Sequence, residues 1–241
     1  MDISKLTRLV RKGIPLKYCG AVIVAAGTAS RMGGIDKIMA PLGGEPLIAR
    51  TVRAFEECDA IREIVIVTRE DLILSIGKLC SQFSKVSAVV VGGNSRPESV
   101  MAGLNALSKQ VKLAAIQDGA RPLVSWQLID RTVRAANTYG AAAPGIPVTD
   151  TIKTAAEDCI TGTLDRSRLV AMQTPQAFLP DLIKTALTKA VRDNISYTDD
   201  CAAVEALGAI VHLTEGSPEN IKITRPLDVK LAEAILQCRS H

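Results

Sequence analysis

The chain is 241 residues long, with 47% apolar, 22% charged and only 3% aromatic residues, and its 29 basic and 25 acidic side chains leave a net charge of +4. A chain this apolar and this close to neutral reads as a folded globular protein rather than a disordered one. Its apolar runs fall short of the ~18 residues that a membrane-spanning helix needs, and so few aromatic rings argue against a base-stacking nucleic-acid platform.

Residues 1–18 hold the whole net charge: Lys5, Arg8, Arg11, Lys12 and Lys17 stand against Asp2. They lack the continuous apolar stretch of a secretory signal and are expected to form a basic surface extension ahead of a single domain over 19–241. From there two kinds of segment alternate. Short β-branched runs at 21–25, 64–68, 86–91, 113–117 and 209–213 predict buried strands. Amphipathic stretches at 47–58, 71–83, 97–107 and 127–139 predict helices between them, followed by helices at 180–192, 199–207 and 226–238. Pro97 and Pro226 fall where a first helical turn begins, which suits proline. This alternation predicts an α/β fold: a Rossmann-like, mostly parallel sheet with helices on both faces. About 149–171 the rhythm breaks, and alternating residues near 157–162 predict a two-stranded arm protruding from the sheet. A lone hairpin is marginal in water, so the arm is expected to pack on a second copy of the chain.

The inventory of reactive side chains narrows the chemistry. Six cysteines occur without a C-x-x-C pair, which disfavours a disulfide framework or zinc site and fits a reducing, cytoplasmic setting. Two histidines, His212 in a strand-like run and His241 at the last position, nearly exclude a histidine-based nucleophile or metal site. Ligands in open α/β sheets bind beyond the carboxyl ends of the strands, so the loops there are where chemistry is expected.

After the first strand comes Ala25-Ala26-Gly27, then Arg31, Gly33, Gly34 and Lys37. Small residues let backbone N–H groups approach a phosphate, Arg31 could grip its oxygens in a fork and Lys37 offers a mobile charge. Neither Gly-x-Gly-x-x-Gly nor the P-loop pattern is present, and an ordinary loop with two solvated cations is an equal reading of these residues alone. The next loop, Gly92-Gly93-Asn94-Ser95-Arg96-Pro97-Glu98-Ser99, suits close backbone approach or a plain capped turn. Asp118-Gly119-Ala120-Arg121-Pro122 follows a strand, where a carboxylate could hold magnesium with phosphate oxygens and water, or simply pair with Arg121.

These segments together resemble the sugar-nucleotide and alditol-phosphate nucleotidyltransferases, and within them the 2-C-methyl-D-erythritol 4-phosphate cytidylyltransferase family of the non-mevalonate isoprenoid pathway. Gln173-Thr174-Pro175-Gln176, Thr198-Asp199-Asp200 and Asn220-Ile221-Lys222-Ile223-Thr224-Arg225-Pro226 extend the resemblance over residues 20–236. The family usually has glycine at Ala29, aspartate at Asn94 and alanine at Gly119, and its commonest form has one more residue between Arg31 and Lys37.

The resemblance implies a set of roles. Arg31, Lys37 and Lys222 are catalytic cations. Ala25, Ala26, Gly27, Gly93, Asn94, Ser99 and Asp118 bind the nucleotide, with Asp118 also the Mg2+ ligand. Arg121, Thr151, Arg166, Thr174, Thr198 and Thr224 bind the acceptor, Thr151 and Arg166 reaching the neighbouring subunit's site from the arm. The implied substrates are CTP and an alditol phosphate, and the implied assembly is a homodimer through the β-arm, with no nucleic acid or membrane partner. A ribitol-5-phosphate cytidylyltransferase, a pyrophosphorylase using another nucleotide with a sugar 1-phosphate, and a non-catalytic nucleotide-binding regulator are the competing readings.

Overall fold

A computed structural model of the chain describes residues 16, 18–27 and 36–239. Its spine is β1 (Cys19–Ala25), which runs parallel to β4 (Ile61–Thr68) on one side and to β6 (Leu113–Asp118) on the other. Next to β4 lies β5 (Val86–Val91), also parallel. Beyond β6 the sheet changes character. Strand β11 (Gln176–Phe178) runs antiparallel between β6 and the start of β7 (Ala141–Pro147). Strand β10 (Val170–Met172) lies antiparallel along the end of β7, and β12 (His212–Glu215) pairs parallel with β7. The result is one eight-stranded, mostly parallel sheet.

Strand alternation sends side chains to both faces, and helices cover each. On one face Ala21 and Ile23 meet α1 (Leu47–Glu56) through Ile48, Val52 and Phe55, α2 (Ile73–Cys80) through Ile76, and α4 (Trp126–Tyr139) through Leu128, Ile129 and Val133. On the other, Val22, Val67 and Ile116 meet α3 (Arg96–Ala106), α5 (Pro180–Arg192) and α6 (Asp200–Glu205) through Val100, Leu104, Ile183, Leu187 and Val204. A smaller cluster of Leu42, Leu47, Leu123, Ile223 and Ala232 seats α7 (Pro226–Arg239) beside the short hairpin β2 (Pro41–Leu42) and β3 (Glu45–Pro46). Gly43 and Gly44 turn that hairpin at φ +57° and +86°, where a side chain would be strained.

The α/β expectation agrees with this sheet, and four of the five expected strands and all seven expected helices are present, most with shifted ends. The run at 209–213 is displaced: the strand spans His212–Glu215. Three strands of the main sheet, besides the two-residue strands β2 and β3, have no counterpart in the sequence reading. Strand β7 reads Ala-Ala-Ala-Pro-Gly-Ile-Pro, which has almost no β propensity, while β10 and β11 are three residues each, too short to show a period. The arm region contains an antiparallel hairpin, β8 (Lys153–Ala156) and β9 (Cys159–Thr163), outside the main sheet. Glu157 and Asp158 turn it at φ 48° and 63°, and its side chains are almost all exposed, Ile160 at 70%. The expected extension at 1–18 lies almost wholly outside the described residues.

Helix α3 packs so closely on the sheet that a Cβ on Gly103 would run into Val22 and Val67. Gly103→Val should therefore destabilise the chain by about 1–3 kcal/mol in urea melts, despite valine's better helix propensity. An unchanged midpoint would show that α3 can lift away without loss.

Candidate active site

Strands β1, β4, β5 and β6 all end at one edge of the sheet, and a cleft of about 640 Å³ opens there. Ala25, Ala26, Gly27, Lys37, Gly93, Asn94, Ser99, Asp118 and Lys222, drawn from residues almost 200 positions apart, line it together with Arg69 and Arg96.

Asp118 organises the cleft. It ends β6, and its backbone N–H donates to the Thr174 hydroxyl at 3.1 Å. Three cations converge on its carboxylate: Lys222 Nζ at 2.9 Å and Arg121 Nε at 3.4 Å on Oδ2, and Arg96 Nη2 at 3.5 Å on Oδ1. Burial alone would push this carboxyl up, yet Lys222, Arg96 and Arg121 hold it below the usual carboxylate range. Arg96 is itself fixed from behind by the buried Asp200, 2.7 Å from Nη1.

Each cation is held by its own local structure. Ser95 and Glu98 form a reciprocal capping box that starts α3, so Arg96 sits at the first helical position facing Asp118. Asp200 opens α6, whose N-terminal N–H groups at Asp200 and Cys201 donate to Gln176 Oε1 at 3.1 and 3.0 Å. The other end of that amide donates to Asp199 at 2.8 Å. Lys222 is set by its neighbours: Asn220 is buried and donates to Thr174 O at 3.0 Å, and the Ile223 N–H bonds Ala120 O at 2.8 Å. Gln173 clamps the start of this loop at both ends of Ser217, through Nε2 to its carbonyl at 2.7 Å and Oε1 from its N–H at 3.1 Å. Arg121 Nη1 bonds Asn220 O at 2.7 Å, tying the two loops together.

Lys37 begins a 3-10 turn capped by Asp36, whose side chain accepts from the Ile38 N–H at 3.0 Å. Burial lowers the Lys37 ammonium below the ordinary lysine range, and the Lys222 charge lowers it further against the opposing pull of Asp118 and Asp36. Two ammoniums therefore share one cleft and repel each other, an arrangement that favours a polyanion between them.

The remaining expected residues separate into groups. Arg31 lies outside the described residues. The double glycine serves protein–protein closeness: a Cβ on Gly92 would meet Ala26 Cβ at 2.5 Å, and one on Gly93 would run into Glu98. Ser99 is buried with its hydroxyl accepting from Gly93 N–H at 3.1 Å, so it shapes the loop that carries Gly93 and Asn94. Thr174 is likewise buried against Asp118. Thr224 gives its hydroxyl proton to Asp228 at 2.8 Å, and Thr198 is exposed just ahead of α6. Thr151 and Arg166 sit at the base of the arm, Arg166 donating to Thr149 O at 2.7 Å, and neither lines the cleft of its own chain. Gln173, Gln176, Asp200 and Asn220 were legible only as members of short motifs, and their bracing role shows in the folded chain alone.

Comparison with known proteins places this cleft. The family model described as 2-C-methyl-D-erythritol 4-phosphate cytidylyltransferase matches residues 19–238. The chain belongs to that family. It is 42% identical over 226 residues to the family's enzyme from Clostridium novyi, covering 92% of this chain and 97% of the relative. It is 44% identical over 218 residues to that of Halalkalibacterium halodurans, covering 89% and 95%. Among solved structures, the 4-diphosphocytidyl-2C-methyl-D-erythritol synthase of Anaerococcus prevotii superposes with a TM-score of 0.83 at 30% identity, covering 92% of this chain and 96% of that one. The Thermus thermophilus cytidylyltransferase does so at 0.75 and 31%, covering 90% and 98%.

The shared cleft predicts a measurable coupling between the two lysines. In a lysine-resolved NMR titration, Lys37 should lose its proton below the ordinary lysine value of about 10.4. Lys222→Met should move that titration upward, because a like charge is removed and Asp118 is freed. An unmoved titration would mean that the two ammoniums do not share a site.

Proposed function

We propose that this member of the family transfers a cytidylyl group from CTP to 2-C-methyl-D-erythritol 4-phosphate, releasing pyrophosphate. The observation that carries the proposal is the convergence of Lys222, Arg96 and Arg121 on Asp118 in the wall of a cleft that Lys37 also lines. An oxygen of the acceptor's phosphate attacks the α-phosphorus of CTP, and the bond to the bridging oxygen of the β-phosphate breaks. That nucleophile is already anionic at neutral pH, so no general base is needed. The difficulty is to bring two anions together, and oriented cations meet it.

In this reading Ala25, Ala26 and Gly27 face the triphosphate with Lys37 and Arg31, while Gly93 and Asn94 lie where the base would be read. Lys222 leaves Asp118 for a substrate phosphate, with Arg121 remaining to hold the carboxylate. The donor set around Asp118 fits the sparse protein ligation magnesium tolerates, one carboxylate completed by phosphate oxygens and water. Asp118 would hold Mg2+, which when bound adds positive charge to the triphosphate. Among the described residues no cluster of three or more potential metal-ligating side chains exists.

The exposed hairpin supports a homodimer in which Thr151 and Arg166 of the partner subunit complete each site, since neither reaches the cleft of its own chain. No helix among the described residues is long and apolar enough to cross a membrane. The six cysteines are unpaired, which suits the reducing cytoplasm in which we place the reaction.

Pyrophosphate release with CTP and magnesium, offering methylerythritol phosphate and ribitol phosphate in turn, tests the assignment. Turnover is expected with the first, and activity confined to ribitol phosphate, or to UTP, GTP or ATP, would refute it. Lys37→Ala should lower kcat by roughly a hundredfold or more in a folded protein. Mixing Lys37→Ala with Arg166→Ala chains should recover activity, because one of the two sites in a heterodimer regains both side chains. Heterodimers that form and stay inactive would exclude the shared site.

A further inference from the structure

Arg69 has no part in the reading above, yet it stands on the wall of the cleft immediately beyond β4. Its guanidinium joins three segments. Nε and Nη2 grip Asp71 in a fork at 3.1 and 3.0 Å, which aims the group. Nη2 also meets Asp36 Oδ2 at 2.6 Å, and Nη1 donates to Gly27 O at 3.4 Å. Gly27 lies just past β1, and Asp36 directly precedes Lys37. The other oxygen of Asp36 caps the turn that presents Lys37. A side chain from the residue just after β4 thus spans from the end of β1 to the residue beside the catalytic lysine.

We propose that Arg69 is a positioning residue for Lys37. By tying Asp36 to Gly27 it fixes the turn from which the ammonium reaches the triphosphate. By occupying the Asp36 carboxylate, it also prevents that anion from drawing Lys37 away from substrate. This rests on the cytidylyl-transfer reading. Two features separate the tie from an ordinary surface ion pair, which is worth little. Arg69 and Asp36 side chains are only 25% and 14% exposed, and the 2.6 Å contact is charge-assisted. The task also needs a planar fork that binds in several directions at once, which lysine lacks.

The test uses the full-length enzyme with Arg69→Ala, Arg69→Lys, Lys37→Ala and the Arg69→Ala/Lys37→Ala double variant. CTP and acceptor are varied separately, and CTP affinity is measured by calorimetry at fixed ionic strength. Arg69→Ala should lower kcat/KM for CTP about tenfold or more, since small misplacements of a catalytic group are expensive in rate. The acceptor KM should stay within about twofold, and Arg69→Lys should recover little. CTP affinity should fall several-fold when Lys37 is present and hardly at all in the Lys37→Ala background, the non-additivity expected of residues acting through one another. Equal losses in both backgrounds, acceptor KM rising in step with CTP, or Arg69→Ala matching the parent would each overturn the proposal. If Arg69→Ala does not fold, Asp36→Asn removes the ion pair while keeping the cap oxygen; it should show the same CTP-selective loss, and its absence counts equally against the tie. Failure of the unmodified enzyme to release pyrophosphate from CTP would instead sink the cytidylyl-transfer reading, and this role with it.

Discussion

One buried carboxylate holds the functional end of this molecule together. Asp118 gathers Lys222, Arg121 and Arg96 from three separate segments of the chain, and each would otherwise be repelled by the others. Placing an anion at the end of a buried strand is costly unless it is paired, and removing one partner of a buried pair typically costs about 3–5 kcal/mol. The carboxylate and its cations therefore require each other before any ligand arrives. Their arrangement is also incomplete by design of charge: three cations on one carboxylate, with Lys37 close by, leave the cleft positive overall. Since the chain beyond residue 18 carries equal numbers of basic and acidic residues, this positive field arises from placement rather than from composition.

The second requirement is that mobile-looking loops hold these cations in register. Buried amides do this. Gln176 reads both the N-terminus of α6 and Asp199, and Gln173 brackets Ser217, while Asn220 reaches into the turn that contains the cis Thr174–Pro175 bond. Neutral amides suit the task because each offers a donor and an acceptor in a fixed plane and adds no charge that would compete with Asp118. Position of the cations is thus set by an uncharged polar frame, and their electrostatic effect is left available for a ligand.

What the sequence revealed follows from the kind of signal involved. Strands β1 and β4 are β-branched runs buried on both faces, β5 is valine-rich though only partly buried, and β6 is a short, wholly buried apolar run, so composition and length marked them. Strand β7 is just as buried, but its Ala-Ala-Ala-Pro-Gly core is held by neighbours and not by propensity. Lys222 stood out only through motif resemblance, whereas Lys37 and Asp118 also read on their own as a phosphate-binding cation and a metal-holding carboxylate, each against a plain solvated or paired alternative. Arg69 and Asp36 were invisible, since nothing local connects two ordinary charges 33 positions apart until β1 and β4 pair and bring their ends together. Thr224, assigned to the acceptor by its motif, gives its hydroxyl proton to Asp228 in the folded chain, a contact that the motif did not indicate.

The absence of histidine from the cleft lining among the described residues then has a physical explanation. His212, the one histidine among the described residues, stacks on Tyr139 with ring centroids 3.9 Å apart, away from the cleft lining. A phosphate nucleophile needs no proton removed, so a group titrating near neutrality would add a pH liability without contributing a step. What the reaction demands is positive charge that persists across the physiological range and does not reorganise as charge shifts from nucleophile to leaving group. Arginines meet that demand outright, and lysines meet it only while their ammoniums stay protonated. Lys37 is lowered by burial and by Lys222, and an arriving triphosphate opposes that shift by favouring the charged form. Substrate binding and the protonation of this lysine are therefore linked in sign: the anion that the cleft must hold stabilises the charge that holds it.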